Sequence, residues 1–274
     1  MTVINTNISA MRAANASNSA ALMQGTSMQR LSTGKRINSA KDDAAGLAIS
    51  TSMTSQITGM QQGIRNANDG ISLAQTAEGA LNEVTNMLQR VRELAVQSAS
   101  GTYQASDRTN MQAEVTSLTN QIGSVLADTK FNGNALFSTT AGTDITFDVQ
   151  AGANSTDVIT LTSTAIDGGN IDATALDVTT SALATTTMAN VDLALAEVAA
   201  TNAGFGAGES QLQSAVNNLT SNATNLSDAR SRILDADYST ETTNMAKAQI
   251  LSQASTAMLA QANQSQQNVL SLLR

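Results

Sequence analysis

A chain of 274 residues, 41% of them hydrophobic, is long enough for one large or two smaller domains and is not composed like a disordered segment. It holds no His, Cys, Trp or Pro, which excludes the usual zinc and iron–sulfur sites, Cys nucleophiles, Ser-His-Asp triads and disulfides. The net charge of −8 is unevenly placed: the first 41 residues carry Arg12, Arg30, Lys35, Arg36 and Lys41 and no acid, while no Lys or Arg stands between Phe131 and Ala229. That middle stretch holds Asp144, Asp148, Asp157, Asp167, Asp172, Asp177, Asp192, Glu197, Glu209 and Asp228, spaced too widely for a calcium loop and read as a solvated, self-repelling surface. No metal or cofactor is expected. No apolar run of about 18 residues occurs, so no membrane insertion is expected, and nucleic acid is not an expected partner either. The first residues lack the basic-then-apolar pattern of a cleaved secretory signal.

The chain opens on a helical stripe, Ile4, Ile8, Met11, Asn15, Asn18, Leu22 and Gly25, in alternating steps of four and three. A second runs Met53, Ile57, Met60, Ile64, Ala67, Ile71, Ala74, Glu78 and Leu81 and continues, after a shift, through Val84, Leu88, Val91, Ala95 and Ser98. Met111, Val115, Leu118, Ile122 and Val125 form a third, and Leu212, Val216, Leu219, Ala223, Leu226, Arg230 and Ile233 a fourth. Such spacing marks helices packed lengthwise. With only 2% aromatic residues and no Pro to break a helix, these runs predict a mainly α protein, an elongated bundle of long coiled-coil-like helices.

The punctuation between stripes is also readable. "SGTYQASDRTN" (100–110) separates the second from the third, with Ser106 or Asp107 as the expected cap. Asn132-Gly133 is a turn signal. Ile145, Phe147 and Val149 alternate, "AGANSTD" turns, and "VITLTS" resumes, which predicts a small inserted β-hairpin. Helix is expected to resume near Met188. The last stretch carries Ile250, Leu251, Ala254, Met258, Ala262, Val269 and Leu272 on a thin face interrupted by Gln. Like the amide-bearing first stripe, it is marginal alone and gains from neighbours.

Charge concentrates at one joint, "LSTGKRINSAKDDAAGLAIS" (31–50). Gly34 suits the end of a first helix, Ser39 to Asp42 matches a capping box, and Asp43 favours the next helix N-terminus. A matching joint, "SRILDADYSTE" (231–241), restarts a helix with Asp237 as candidate cap and Glu241 in its first turn. Two terminal helices are therefore hinged to a central bundle.

These segments resemble bacterial flagellin. "RINSAKDDAAG" carries most of the specificity, and "LQRVRELAVQSAS", "TKFNG", "SRILDADYSTE" and "LAQANQSQQNVLSLLR" match further family segments in the right order. The likeness covers roughly residues 1–138 and 188–274; the family often has an apolar residue where Lys35 stands and usually a Pro where Gln266 stands. It implies a structural, non-enzymatic subunit, exported without a cleaved signal peptide, that self-assembles into the extracellular filament used for swimming. Its terminal helices would fold on polymerisation.

The division implied is 1–40 with 235–274 as an inner-tube domain, 41–138 with 188–234 as a central bundle, and 139–187 as a small solvent-facing insertion. Inner-tube packing falls to Ile4, Ile8, Met11, Leu22, Ile250, Leu251, Ala254, Met258, Val269 and Leu272. Elbow and subunit contacts fall to Lys35, Arg36, Asn38, Lys41, Asp42, Asp43, Asp235 and Asp237. The partners implied are identical subunits, an export chaperone, and cap and junction proteins. Toll-like receptor 5 of a host would read Arg90, Leu94 and Glu114. Two alternatives stay open: a hook–filament junction protein with similar terminal helices, and a coiled-coil signalling module rich in Ala, Ser, Thr and Gln heptads.

Overall fold

The computed structural model describes residues 6–271, with side chains to residue 267. It is 74% helical. Helix α1 (Ile8–Thr33) opens on Asn7, whose side-chain oxygen accepts from the Ala10 N–H at 3.0 Å, and closes at Gly34 with φ 69°, a left-handed position where a Cβ is disfavoured. Helix α2 (Ala44–Ala99) is capped by Asp43, whose Oδ1 accepts from the Gly46 N–H at 2.8 Å. The expected Ser39–Asp42 capping box closes a tight turn one step earlier instead. Asp42 Oδ2 accepts from the N–H groups of Ser39 (2.9 Å) and Asn38 (3.1 Å) and from the Ser39 hydroxyl (3.1 Å). With Asp42 turned back, Asp43 is the carboxylate left to face the helix.

Helix α3 (Ala105–Asp128) starts one residue before the expected cap. Gln104 is its N-cap, and Asp107, three residues in, reaches back to the Gln104 N–H at 3.0 Å. The break before it is held by Arg108, whose guanidinium donates to the carbonyls of Ser98, Tyr103 and Ser100 at 2.8–2.9 Å. It thereby satisfies acceptors that the end of α2 leaves open. Strands β1 (Lys130–Phe131) and β2 (Asn134–Ala135) pair across Asn132 (φ 50°) and Gly133 (φ 85°), the two positive φ values a I′ turn needs. Strands β3 (Ile145–Gln150) and β4 (Val158–Ser163) form the expected hairpin, in register from Ile145 opposite Ser163 to Gln150 opposite Val158.

After a single turn, α4 (Gly168–Ile171), helix α5 (Ser181–Leu234) begins well ahead of Met188. The run of Thr and Ser argues against helix by propensity, but Ala184 and Thr187 are buried and the Thr187 hydroxyl bonds the Asp177 carbonyl at 2.7 Å. Packing overrides the local preference. Helix α6 (Tyr238–Ser271) starts as expected on Asp237, whose Oδ1 accepts from the N–H groups of Ser239 (2.9 Å) and Thr240 (3.3 Å).

The chain forms two compact units, one from Gln56 to Thr224 and one made of the residues up to Ser55 with those from Asn225 onward. In the first, Val84, Leu88, Val91, Ala95 and Ser98 of the second stripe are all fully buried, as are Val115 and Ile122 of the third. Phe205 and Leu212 of α5 close the same core. The β3–β4 hairpin lies directly on the helix backbone. A Cβ on Gly63 would sit 2.9 Å from the Gly152 nitrogen and 3.0 Å from the Ala151 carbonyl carbon, so only glycine allows that approach.

Candidate functional site

The second unit holds almost every residue singled out for elbow or terminal-helix roles. Its two linkers form a clamp. Lys35 and Asp235 make an isolated antiparallel β-bridge, the Arg36 N–H donates to the Leu234 carbonyl at 2.7 Å, and the Ala236 N–H donates to the Gly34 carbonyl at 2.9 Å. Arg36 Nη2 adds a bond to the Ile233 carbonyl at 2.6 Å. The Asn38 side chain donates to the Lys35 carbonyl at 2.9 Å, and Asp235 accepts from the Ser231 hydroxyl at 2.6 Å. Two stretches that read as separate joints are thus one structure. Backbone N–H groups of Asn38 and Ser39 hold the Asp42 carboxyl below its usual range, and the Thr240 hydroxyl and N–H do the same for Asp237. Lys35 and Lys41 are exposed, their ammonium groups without a partner among the described residues.

Above the clamp α1 and α6 run antiparallel, as shown by Asn7 Nδ2 donating to the Ala262 carbonyl (3.0 Å) and, at the other end, the Tyr238 hydroxyl donating to the Leu31 carbonyl (3.0 Å). Their seam has heptad spacing but small residues. Ala13, Ser17, Ala20, Gln24, Ser27 and Leu31 meet Met245, Ala248, Ser252, Ser255, Leu259 and Ala262, all buried or half-buried. Small side chains permit a close interaxial approach. The first stripe read from the sequence faces the other way. Ile8, Met11, Asn15, Asn18 and Leu22 are exposed, Leu22 by 74%, because their phase on the helix is opposite that of Ala13 and Ala20.

On α6, Ile250 is 66% exposed on the far side of the seam, while Leu251, Ala254 and Met258 border an open groove of about 510 Å³ facing Ala13 and Ala16 of α1. Ile4 and Leu272 lie outside the described residues, as does the side chain of Val269. The seam carries one buried ion pair that the sequence reading passed over. Glu241, 6% exposed, accepts from Arg30 Nη1 at 2.9 Å and from the Ser27 hydroxyl at 2.9 Å. Only the phase of Arg30 and Ser27 on the seam side of α1 could have signalled it.

In the other unit, Arg90 is half exposed and bonds Glu114 and Glu93, each at 2.9 Å. Leu94, between them in sequence, is 2% exposed and belongs to the core. Among the described residues, no three acids gather to hold a metal and no helix is long and apolar enough to cross a membrane.

Comparison with known proteins assigns both ends of the chain to one family. Residues 4–142 match the family model of the bacterial flagellin N-terminal helical region, and residues 188–273 match that of the C-terminal helical region. A flagellin of Halalkalibacterium halodurans is 44% identical, covering 99% of this chain and 100% of the relative. One of Bacillus subtilis is 41% identical over 99% of each. A solved structure described as a flagellar hook-associated protein of Vibrio parahaemolyticus superposes with a TM-score of 0.59 at 18% identity, over 71% of this chain and 100% of that one, a likeness of fold alone. With both terminal regions matched and the relatives spanned nearly end to end, the chain belongs to the bacterial flagellins, the subunits of the extracellular flagellar filament.

Proposed function

We propose that α1, α6 and the clamp between them are the assembly device of this filament subunit, and that copies meet through the bulky outward side chains of the terminal helices. The observation that carries this is the division of labour on α1: small residues inward against α6, Ile8, Met11 and Leu22 outward in water. Exposed apolar side chains repeated along one helix face, here with Asn15 and Asn18 between Met11 and Leu22, mark an interaction surface. The α1 stripe and the Leu251–Met258 groove lie on different faces. A contact between them joins unlike surfaces and propagates without closing, as a filament requires.

In this reading residues 1–40 with 235–274 pack the inner tube and fold on assembly. Residues 41–138 with 188–234 form the surrounding bundle, and 139–187 face solvent. Lys35, Arg36, Asn38, Lys41, Asp42, Asp43, Asp235 and Asp237 form the elbow and touch neighbouring subunits. The subunit leaves the cell without a cleaved signal, attended by an export chaperone and by cap and junction proteins, and it catalyses nothing. The test compares the full chain with a fragment from Lys41 to Asp235, by electron microscopy and circular dichroism. The full chain should form long filaments and gain helix on doing so, while the fragment stays folded and unassembled. Polymers from the fragment would remove the terminal helices from the role.

The α2–α3 face offers a second contact, to Toll-like receptor 5. Arg90 and Glu114 present a joined, half-exposed ion pair, and Leu94 supports the face from below. In a receptor reporter assay Arg90→Ala should lower signalling at least about tenfold, as loss of an interface Arg anchor does, with unchanged assembly. Equal signalling would withdraw the contact.

A further inference from the structure

From the geometry of the β1–β2 turn we infer that Asn132 is a spontaneous deamidation and isoaspartate site in the folded protein, an ageing mark built into the subunit. The reaction needs a nucleophilic backbone nitrogen free of hydrogen bonds, next to an unconstrained Asn amide. The nitrogen of Gly133 loses its proton to solvent hydroxide and forms a bond to Cγ of Asn132 as the Cγ–N bond breaks and ammonia leaves. Water then opens the five-membered succinimide at either carbonyl, giving Asp or the β-linked isoaspartyl residue. Nothing but water is consumed.

Asn132-Gly133 is the chain's sole Asn-Gly pair, and the fold leaves it open. Both residues are exposed, and a Cβ built on Gly133 meets nothing within 4 Å. Neither the Gly133 N–H nor the Asn132 amide has a hydrogen bond among the described residues, because a two-residue loop directs its ladder bonds through the flanking strands. Other reactive pairs are guarded. At Asp167-Gly168 the Gly168 N–H is held by the Thr139 carbonyl at 3.0 Å and the Asp167 carboxylate by the Gly169 N–H at 2.9 Å. Asn154, followed by Ser155 in the β3–β4 loop, has its amide and N–H tied to Asp157 at 3.1 and 3.0 Å. Gly70, after Asp69, lies inside α2, where backbone N–H groups are engaged.

The product changes the hairpin. An isoaspartyl residue adds a backbone carbon to a loop whose length sets the register of its strands. The adjoining Leu136, whose N–H bonds the Thr129 carbonyl at 3.2 Å, is fully buried. Ageing therefore loosens the chain where it re-enters the core and adds a negative charge two residues from Lys130 on β1.

The test incubates full-length protein in warm, mildly alkaline buffer and maps each Asn by peptide mass. Isoaspartate is counted with an isoaspartyl carboxyl methyltransferase and a labelled methyl donor. Asn132 should react first in the folded protein, about tenfold faster than Asn154, which must give up its Asp157 hydrogen bonds to react. Asn132→Gln should abolish methyl incorporation in that peptide and spare the rest. An intact Asn132 while Asn154 or another Asn reacts, or reaction at Asn132 only in urea, would overturn the inference.

Discussion

Replacing Glu241 with Ala should weaken the pairing of α1 with α6 by about 2–3 kcal/mol and remove part of its acid sensitivity, because a buried ion pair loses one partner and leaves the other behind. The Ser27 hydroxyl, on a residue 4% exposed, would lose its acceptor where water has little access. The Arg30 side chain, 28% exposed, can turn partly to solvent, which keeps the cost below that of a fully enclosed pair. A polar pair on an otherwise small and apolar seam also fixes register, so the variant should lose order along α1 as well as stability.

The pH dependence follows from the same contacts. Burial alone pushes the Glu241 carboxyl up, but the bonds from Arg30 and Ser27 outweigh it and hold the carboxyl below its ordinary 4.5. A lowered folded value means stability that is complete above the unfolded value and lost as pH falls through the folded one. Asp42 and Asp237, also lowered, lose stability in the same direction. The contribution of Glu241 is therefore read on the assembled filament, where α1 and α6 are folded, as the difference in melting between wild type and Glu241→Ala from neutral pH downward: large at neutrality, closing in acid. A variant that melts within about 0.5 kcal/mol of wild type, with a parallel pH profile, would show that the pair contributes nothing.

Most of the helical architecture was legible because its signals are local. The stripes through Val84–Ser98 and Met111–Ile122 became the core, Asn132-Gly133 became a I′ turn, and Gly34 and Asp237 ended and began helices where their chemistry requires. What was not legible depended on partners distant in sequence. The early start of α5 needs the Asp177 carbonyl for Thr187, and the cap moves to Asp43 because Asp42 is taken by Asn38 and Ser39. On α1 a hydrophobic stripe and a small-residue stripe coexist, and the pattern of hydrophobicity points to the first. The neighbour within the chain takes the second, since Ala and Ser allow the close approach that Ile and Leu prevent. Glu241 was legible only as a first-turn acid of α6, because its partners Ser27 and Arg30 lie 214 and 211 residues away, and Leu94, named only through the family likeness, lies in the core.

That outward stripe yields the largest effect expected on assembly. Leu22→Glu and Ile250→Glu each place a carboxylate on a side chain already in water, 74% and 66% exposed, so the isolated chain should keep its helix content and its stability to within about 0.5 kcal/mol. If a neighbouring copy covers these positions, the same carboxylates become buried without a partner, at a cost of several kcal/mol, on top of a lost apolar anchor of about 2 kcal/mol or more. The concentration needed for polymerisation should then rise at least about 100-fold, the equivalent of roughly 2.8 kcal/mol per contact. Pelleting assays read this change, with electron microscopy for filament length, and Leu22→Met serves as the apolar control that should assemble normally. Filaments from both Glu variants at the wild-type concentration would mean that the stripe stays wet in the polymer. The contact between copies would then have to lie elsewhere on the chain, with the exposed ammonium groups of Lys35 and Lys41 at the clamp as the next surface to test.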